Sequence, residues 1–189
     1  MHVPKDLISG CRSRLSALVG QCRLWRSESG GAAVEFALIA VPFLAVLMAI
    51  VESAVVLLAG QVLQTATTSA ARQIMTGQAQ NAGWSATQFK TYVCNGLTVM
   101  FDCGKLNIDV RAFSNFSTVN LPSITNSGGT LTNNYVFQTG NGGSTPDIVV
   151  VRMIYQWPIL ASGLGIGLVT SAGNTNTLVA TAAFRNEPY

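Results

Sequence analysis

Charged side chains and histidine are scarce in this sequence. Only 10% of its 189 residues are charged and 49% are apolar, whereas soluble domains carry about a quarter charged residues. So little charge is unusual for a cytosolic protein and indicates contact with a membrane or burial in an assembly. The length allows one domain of ordinary size and an accessory segment.

The only histidine is His2, which excludes several kinds of catalytic site from the rest of the chain. Ser–His and Cys–His nucleophiles need an imidazole, and without further histidine or a C-x-x-C pair a zinc site is not expected. A glycosidase needs two carboxylates in one cleft, and no sequence context pairs the acids after residue 60. These acids are Asp102, Asp109, Asp147 and Glu187. The run Gly163–Gly167 lacks the spacing of a dinucleotide-binding loop. We therefore expect neither enzymatic activity nor a cofactor.

The few charges are unevenly placed. Residues 1–30 hold five basic and two acidic side chains, a balance of +3, whereas the remaining chain holds six of each. Nucleic-acid binding is not expected, since it would need a basic patch on the folded part. A basic arm before an apolar segment instead predicts a cytoplasmic N-terminus by the positive-inside rule.

A long apolar segment follows the arm. Residues 36–51 carry no charge, and the apolar run resumes after Glu52 as far as Ala59. The segment 36–59 is long enough to cross a hydrocarbon core about 30 Å thick, with Pro42 as a tolerated kink. A cleaved secretory signal with a site near Ala59-Gly60 is the alternative, although about 30 residues is a long arm for one.

The helix is predicted to continue beyond the membrane, from Ala32 to about Met75. One face of a 3.6-residue period is apolar and the other polar. The apolar face has Leu63, Ala66, Ala70 and Ile74, and the polar face has Gln64, Thr68 and Arg72. Glycines and Asn81 between residues 77 and 83 predict its end, so that residues 31–80 form one helical region.

Residues 84–189 have an α+β pattern. A helix is predicted over 85–99, and strands are predicted around 106–111, which alternates as a half-buried strand does, and over 147–156 and 176–184. We expect a three- to four-stranded antiparallel sheet packed against the projecting helix. The uncharged stretch 112–146 has loop composition with room for one irregular hairpin. The apolar, glycine-broken segment 157–170 is too short to span a membrane and serves either as packing or as a contact with another subunit.

The segment GAAVEFALIAVPFLAVLMAIVESAVVLLAGQVLQTATTSAAR resembles the N-terminal segment of TadE-like proteins, the minor pilins or pseudopilins of tight-adherence (Flp) pilus systems. The resemblance rests on a glycine before a Val-Glu-Phe-Ala stretch, an early proline, a second acid and a Leu…Ala…Ala-Ala-Arg helix. The residues concerned are Gly30 or Gly31, Val34, Glu35, Phe36, Ala37, Pro42, Glu52, Leu63, Ala66, Ala70, Ala71 and Arg72. The ending Phe184–Tyr189 also resembles endings of this family.

The resemblance implies cleavage by a prepilin peptidase on the cytoplasmic side of the membrane, which would remove residues 1–30. A cut after Gly30 makes Gly31 the first residue and Glu35 the fifth, ahead of Phe36, whereas a cut after Gly31 makes Glu35 the fourth. Cleavage would also free an α-amine that can neutralise a Glu35 carboxylate, its own or a neighbour's, in lipid. The alternative is a plain single-span anchor whose helix happens to start near Glu35.

The resemblance further implies a single-pass protein of the bacterial inner membrane with a periplasmic C-terminal domain. Its partners would be prepilin peptidase, other Tad pilins or pseudopilins, the inner-membrane assembly platform and lipid, and its role would be pilus biogenesis, adherence and biofilm formation. The competing hypothesis is an unprocessed anchor that carries a periplasmic binding or adhesion domain outside any filament.

Two of the four cysteines are expected on each side of the membrane. Cys11 and Cys22 lie in the arm, on the reducing side, and are expected to stay free thiols. Cys94 and Cys103 lie in the exported part, where an oxidising periplasm favours a disulfide. A bridge over so short a loop would stabilise the fold by roughly 2 to 3 kcal/mol.

Overall fold

The structure is a computed structural model and describes residues 30–97, 100–140, 147–160 and 171–188. The basic arm with Cys11 and Cys22, and the glycine-rich residues 161–170, lie outside the described residues. The helices are α1 (Gly31–Met75), α2 (Gln78–Asn81) and α3 (Ala86–Leu97), and the strands are β1 (Asn107–Phe113), β2 (Ile148–Pro158) and β3 (Thr175–Arg185). The chain divides into two units, residues 1–47 and 48–189.

The first unit is described from residue 30 and is helical, as the first part of α1. This helix ends where the glycines predict. Gly77 adopts a left-handed conformation with φ 73°, which glycine reaches without steric cost. Its amide donates to the Ile74 carbonyl at 3.0 Å, so that a carbonyl of the last turn is satisfied as helix C-caps require.

The second unit contains an antiparallel sheet in the order β1-β2-β3. Asp109 pairs with Arg152 across β1 and β2, and Val151 pairs with Ala182 across β2 and β3. Because successive strand residues point to opposite faces, one face of the sheet is apolar and packs with α1 and α3 in a single hydrophobic core. Its buried strand members include Val110, Val149, Val151, Met153, Tyr155 and Ala180. The α+β fold with a small antiparallel sheet is confirmed.

The face of α1 that contacts this core begins at Val56 and continues through Ala59, Leu63, Thr67, Ala70, Ala71 and Ile74. The predicted periodic face is thereby confirmed, with Ala66 partly buried beside it. The predicted span of 36–59, however, includes Val56 and Ala59, which are buried in protein. The last two turns of the predicted span are therefore covered by protein on one side.

Helix α3 begins with a reciprocal cap. The Ser85 amide donates to the Gln88 side chain at 2.8 Å, and the Gln88 amide donates to the Ser85 hydroxyl at 3.3 Å, which is the capping-box arrangement. Phe89, Val93 and Leu97 then follow at four-residue intervals and are buried. The described helix extends to Leu97, and residues 98–99 of the predicted range lie outside the described residues.

The sheet lies alongside the part of α1 that follows Glu52. At one end of the sheet, which we call the distal end, the Glu187 amide donates to the Met75 carbonyl at 2.9 Å. At the other, the proximal end, the Leu160 amide donates to the Glu52 carboxylate at 2.5 Å. Glu52 and Met75 are separated along the helix by about 35 Å at 1.5 Å per residue. Strand β2 covers nearly the same distance, about 34 Å at 3.4 Å per residue.

The uncharged loop after β1 returns to the same strand. Its residues Thr125 and Leu131 form an isolated antiparallel bridge, which agrees with the expected irregular hairpin. Further along, Val110 donates to the Val136 carbonyl and accepts from the Gln138 amide, both at 2.8 Å. The loop is thus held against the outer edge of β1.

Candidate functional site

The two glycines of the predicted processing site lie at the start of α1, where Gly31 is the first helical residue. A methyl group at either position would meet no atom within 4 Å, and neither glycine has a positive φ. The fold therefore does not need glycine at position 30 or 31, because an alanine would fit both. A requirement for glycine here would have to come from a partner that approaches the backbone.

Glu35 and Phe36 follow on the first turns of α1. Both side chains are exposed, Phe36 to 74%. Glu35 lies four residues after Gly31, which is about 6 Å along the helix axis. Within the described part of the chain no ion pair joins the Glu35 carboxylate.

The charge-free part of α1 presents apolar side chains in every direction. Its most apolar window has a mean hydropathy of 2.6 and none of it is buried. Exposed side chains include Leu38, Ile39, Val41, Phe43, Leu44, Val46, Ile50 and Val51. A helix that is apolar all round and uncovered by protein is suited to a lipid environment. One long apolar N-terminal helix fits a single-pass membrane protein.

Glu52, the second acid of the motif, has a described partner in the C-terminal domain. Its carboxylate accepts the Leu160 amide 108 positions away. A carboxylate near hydrocarbon is costly unless it is hydrogen-bonded, and this bond lowers that cost. The sequence marked Glu52 only as the end of the apolar run, because its partner follows a strand far along the chain.

Cys94 and Cys103 are joined in a disulfide, with Cα atoms 5.9 Å apart. Cys94 lies on α3 and Cys103 opens a short 3-10 turn that leads into β1. In that turn the Asp102 carboxylate accepts the Gly104 amide at 2.9 Å. The bridge therefore ties the last helix before the sheet to the beginning of the first strand.

A buried charge cluster was not anticipated from the sequence. Asp109 is fully buried on the face of the sheet that points away from α1, although its strand pattern predicted only half-burial. Its carboxylate accepts Arg152 Nη2 at 2.5 Å, Arg111 Nε at 3.0 Å and the Val136 amide at 3.0 Å. The two arginines also donate to the carbonyls of Pro122 and Asn134.

This cluster fixes the uncharged loop to the sheet through one carboxylate. Burial raises the pKa of Asp109, but hydrogen bonds from Arg152, Val136 and Arg111 outweigh it and hold the pKa below its usual value. Burial, followed by the nearby Asp109 charge, raises the pKa of the Tyr135 hydroxyl. Two features of the sequence could have indicated this pair, namely Asp109 in an alternating strand and Arg152 inside a long apolar strand. An arginine in such a strand is expected to be buried, and buried charges are normally paired.

The other predicted features take up separate positions in the fold. The remaining acids after residue 60, Asp102, Asp147 and Glu187, are on a turn, before β2 and in the C-terminal tail, respectively. Among the described residues no group of three or more histidine, cysteine or acidic side chains is placed to hold a metal ion. A groove of about 600 Å³ between α1 and α3 is lined by residues such as Val62, Ser69 and Tyr92.

Comparison with known proteins bears on the N-terminal helix. Residues 30–72 match the family model described as TadE-like protein, and the match begins at Gly30 and includes Glu35 and Glu52. No curated protein and no solved structure matches the chain. A TadE-like domain indicates a protein related to Tad pilus systems. The helical segment from residue 30 to residue 72, which contains both acids, is thus similar to a TadE-like domain.

Proposed function

We propose that this chain is a minor pilin or pseudopilin subunit of a Tad (Flp) pilus assembly system, processed by prepilin peptidase after Gly30. In this role it supports pilus biogenesis, adherence and biofilm formation. The observation that carries the proposal is the TadE-like match that begins at Gly30, where the fold has no need of glycine. A protease that must bind the extended backbone at this position would require glycine, because a Cβ there would block its approach.

Glu35 supports the same proposal. Its exposed carboxylate has no described ion-pair partner. Cleavage after Gly30 would create an α-amine on Gly31, within about one and a half helical turns of Glu35. A charged pair formed between that amine and Glu35 of the same or a neighbouring subunit removes two isolated charges from lipid. Other Tad pilins or pseudopilins and the assembly platform are the partners that the apolar helix would meet in the inner membrane.

The proposed topology places residues 1–30 in the cytoplasm and the sheet domain in the periplasm. The basic arm favours this orientation, and the Cys94–Cys103 bridge is compatible with an oxidising compartment. The domain acts as a structural rather than a catalytic unit. The groove between α1 and α3 has no carboxylate, imidazole or thiol among its lining residues, so it lacks a general acid–base pair.

The test is the intact mass of the membrane-extracted protein from cells with and without the matching prepilin peptidase. The processed chain is expected to start at Gly31 and to be lighter by residues 1–30 only when the peptidase is present. Gly30→Ala should slow this cleavage, and Ala33→Gly is a control that leaves both glycines in place. A full-length mass with active peptidase would contradict the proposal and favour the unprocessed anchor with a binding or adhesion domain.

A further inference from the structure

The proximal end of the sheet carries one strongly exposed apolar side chain. Leu160, two residues after the end of β2, is 90% exposed. Its backbone is nevertheless held in place, because its amide donates to the Glu52 carboxylate at 2.5 Å and the preceding Ile159 amide donates to the Asn174 carbonyl at 3.0 Å. Ile159 itself is 7% exposed, so Leu160 projects from an anchored backbone directly after a buried residue.

Glu52 marks the depth at which this side chain lies. The charge-free run 36–51 that precedes it is about 24 Å long at 1.5 Å per residue, which is most of the roughly 30 Å of a hydrocarbon core. Exposed apolar residues of α1 continue on both sides of Glu52, with Ile50 and Val51 before it and Leu57 and Leu58 after it. Leu160 therefore lies beside an apolar surface that is continuous with the candidate membrane span.

Two aromatic residues shortly before Leu160 on β2 differ in exposure, because Tyr155 is buried in the core and Trp157 is partly exposed. Trp157 stacks with Phe101 and Tyr155 at centroid distances of 5.7 and 6.1 Å. Tryptophan and tyrosine are enriched where protein crosses from hydrocarbon to headgroups. The charged pair Asp102 and Lys105, which precedes β1, is exposed, as residues at headgroup level are.

The distal end of the sheet differs in its charges. Arg185 ends β3 there, and Glu187 follows it beside Met75. Residues 153–184, by contrast, contain no charged side chain. The distal ends of β2 and β3 thus adjoin charged residues, whereas the described ends of these two strands near Glu52 carry none, which is the polarity expected of a domain that rests on lipid.

We propose that the proximal end of the sheet domain is a second membrane contact, in which Leu160 inserts among the acyl chains beside α1. The Glu52 carboxylate positions this residue by holding its amide. The contact orients the domain on the bilayer surface, since a single helix alone leaves rotation about its axis free. This inference rests on the membrane span of the proposed function but not on the pilus role or on processing.

The test uses the full-length chain with Cys11→Ser and Cys22→Ser, reconstituted into phosphatidylethanolamine–phosphatidylglycerol vesicles. A bimane label on Leu160→Cys reports contact with lipids that are brominated on their acyl chains, because bromine quenches it only at close range. Ile50→Cys is the reference for the span. Phe116→Cys is the matched control, an apolar residue that is 68% exposed but follows β1 at the distal end. The chain without an added cysteine gives the background.

The label at position 160 is expected to lose about as large a fraction of its fluorescence as the label at position 50, and the label at position 116 is expected to lose almost none. Glu52→Ala should reduce quenching at position 160 and leave quenching at position 50 unchanged. Equal, negligible quenching at positions 160 and 116 would overturn the contact. Unchanged quenching at position 160 in Glu52→Ala would overturn the positioning role of Glu52. Absent quenching at position 50 would overturn the membrane span itself, whereas a failure of processing would affect none of these signals.

Discussion

The Asp109 carboxylate and the Arg152 guanidinium face each other across β1 and β2, with Oδ2 and Nη2 2.5 Å apart and Asp109 fully buried. Because the carboxylate also accepts hydrogen bonds from Arg111 and the Val136 amide, this one side chain connects two strands and the uncharged loop. The first two predictions concern this pair.

Asp109→Asn should destabilise the sheet domain. The substitution leaves the buried Arg152 without its counter-charge, and breaking a buried pair in this way costs about 3 to 5 kcal/mol. Denaturant unfolding of the full-length chain in detergent measures the change. Asp102→Asn is the matched control, because its partner Lys105 is exposed and 3.9 Å away, and surface pairs contribute about 0 to 1 kcal/mol. Equal losses for the two variants would contradict the role of the buried cluster.

Acid should loosen the uncharged loop. The folded pKa of Asp109 lies below its ordinary value of 3.8, so the unfolded chain binds more protons and the contribution of this group to stability is lost as pH falls. The contribution is complete above the ordinary value and disappears as pH falls through the lower folded pKa. Hydrogen exchange of the segment around Val136, measured between pH 5 and pH 2.5, should accelerate relative to the core strand β2. Asp109→Asn should abolish the pH-dependent part of that difference.

The disulfide can be tested by thiol labelling. Protein taken from cells and denatured without reductant should show no free thiol at Cys94 or Cys103, and reduction should expose both. Replacing both cysteines with serine should lower the free energy of unfolding by roughly 2 to 3 kcal/mol, as expected for a short loop. Labelling of both residues before reduction would show that the bridge does not form in the cell.

The orientation of the chain can be read from reporters fused after Tyr189. A reporter that fluoresces only in the cytoplasm should stay dark, and a phosphatase that is active only in the periplasm should work, because the basic arm retains the N-terminus inside. The opposite pattern would place the sheet domain and its cysteines in a reducing compartment. Neutralising the arm at Arg23 and Arg26 should weaken the preference.

Glu35→Gln separates assembly from anchoring. Loss of the charge makes α1 more apolar, so membrane insertion should be unaffected, whereas a new α-amine would lose its partner in a medium of low dielectric constant. Pilus-dependent adherence should therefore fall strongly while the protein remains in the membrane fraction. Glu35→Asp, which keeps the charge, should retain part of the function. Full adherence of Glu35→Gln at normal protein levels would favour a plain anchor.

The local features of the chain could be predicted from the sequence alone. Hydrophobic periodicity and backbone preference predict the bounds of α1 and its end at Gly77. They also predict its change from an apolar to a two-faced helix after Glu52, and the three strands. These signals depend on neighbouring residues, so no long-range contact is needed to read them. The predicted processing motif, Gly30 to Phe36, likewise consists of adjacent residues.

Which distant polar groups form hydrogen bonds with each other depends on the tertiary structure alone. Asp109 looked like a solvent-facing strand residue, but the loop that returns to Val110 covers it, and the register of β1 on β2 places Arg152, 43 positions away, beside it. Glu52 looked like the edge of a span, but the alignment of β2 with α1 places the Leu160 amide on its carboxylate, 108 positions away. Such pairs depend on strand register and on the path of a loop, and no local periodicity encodes either.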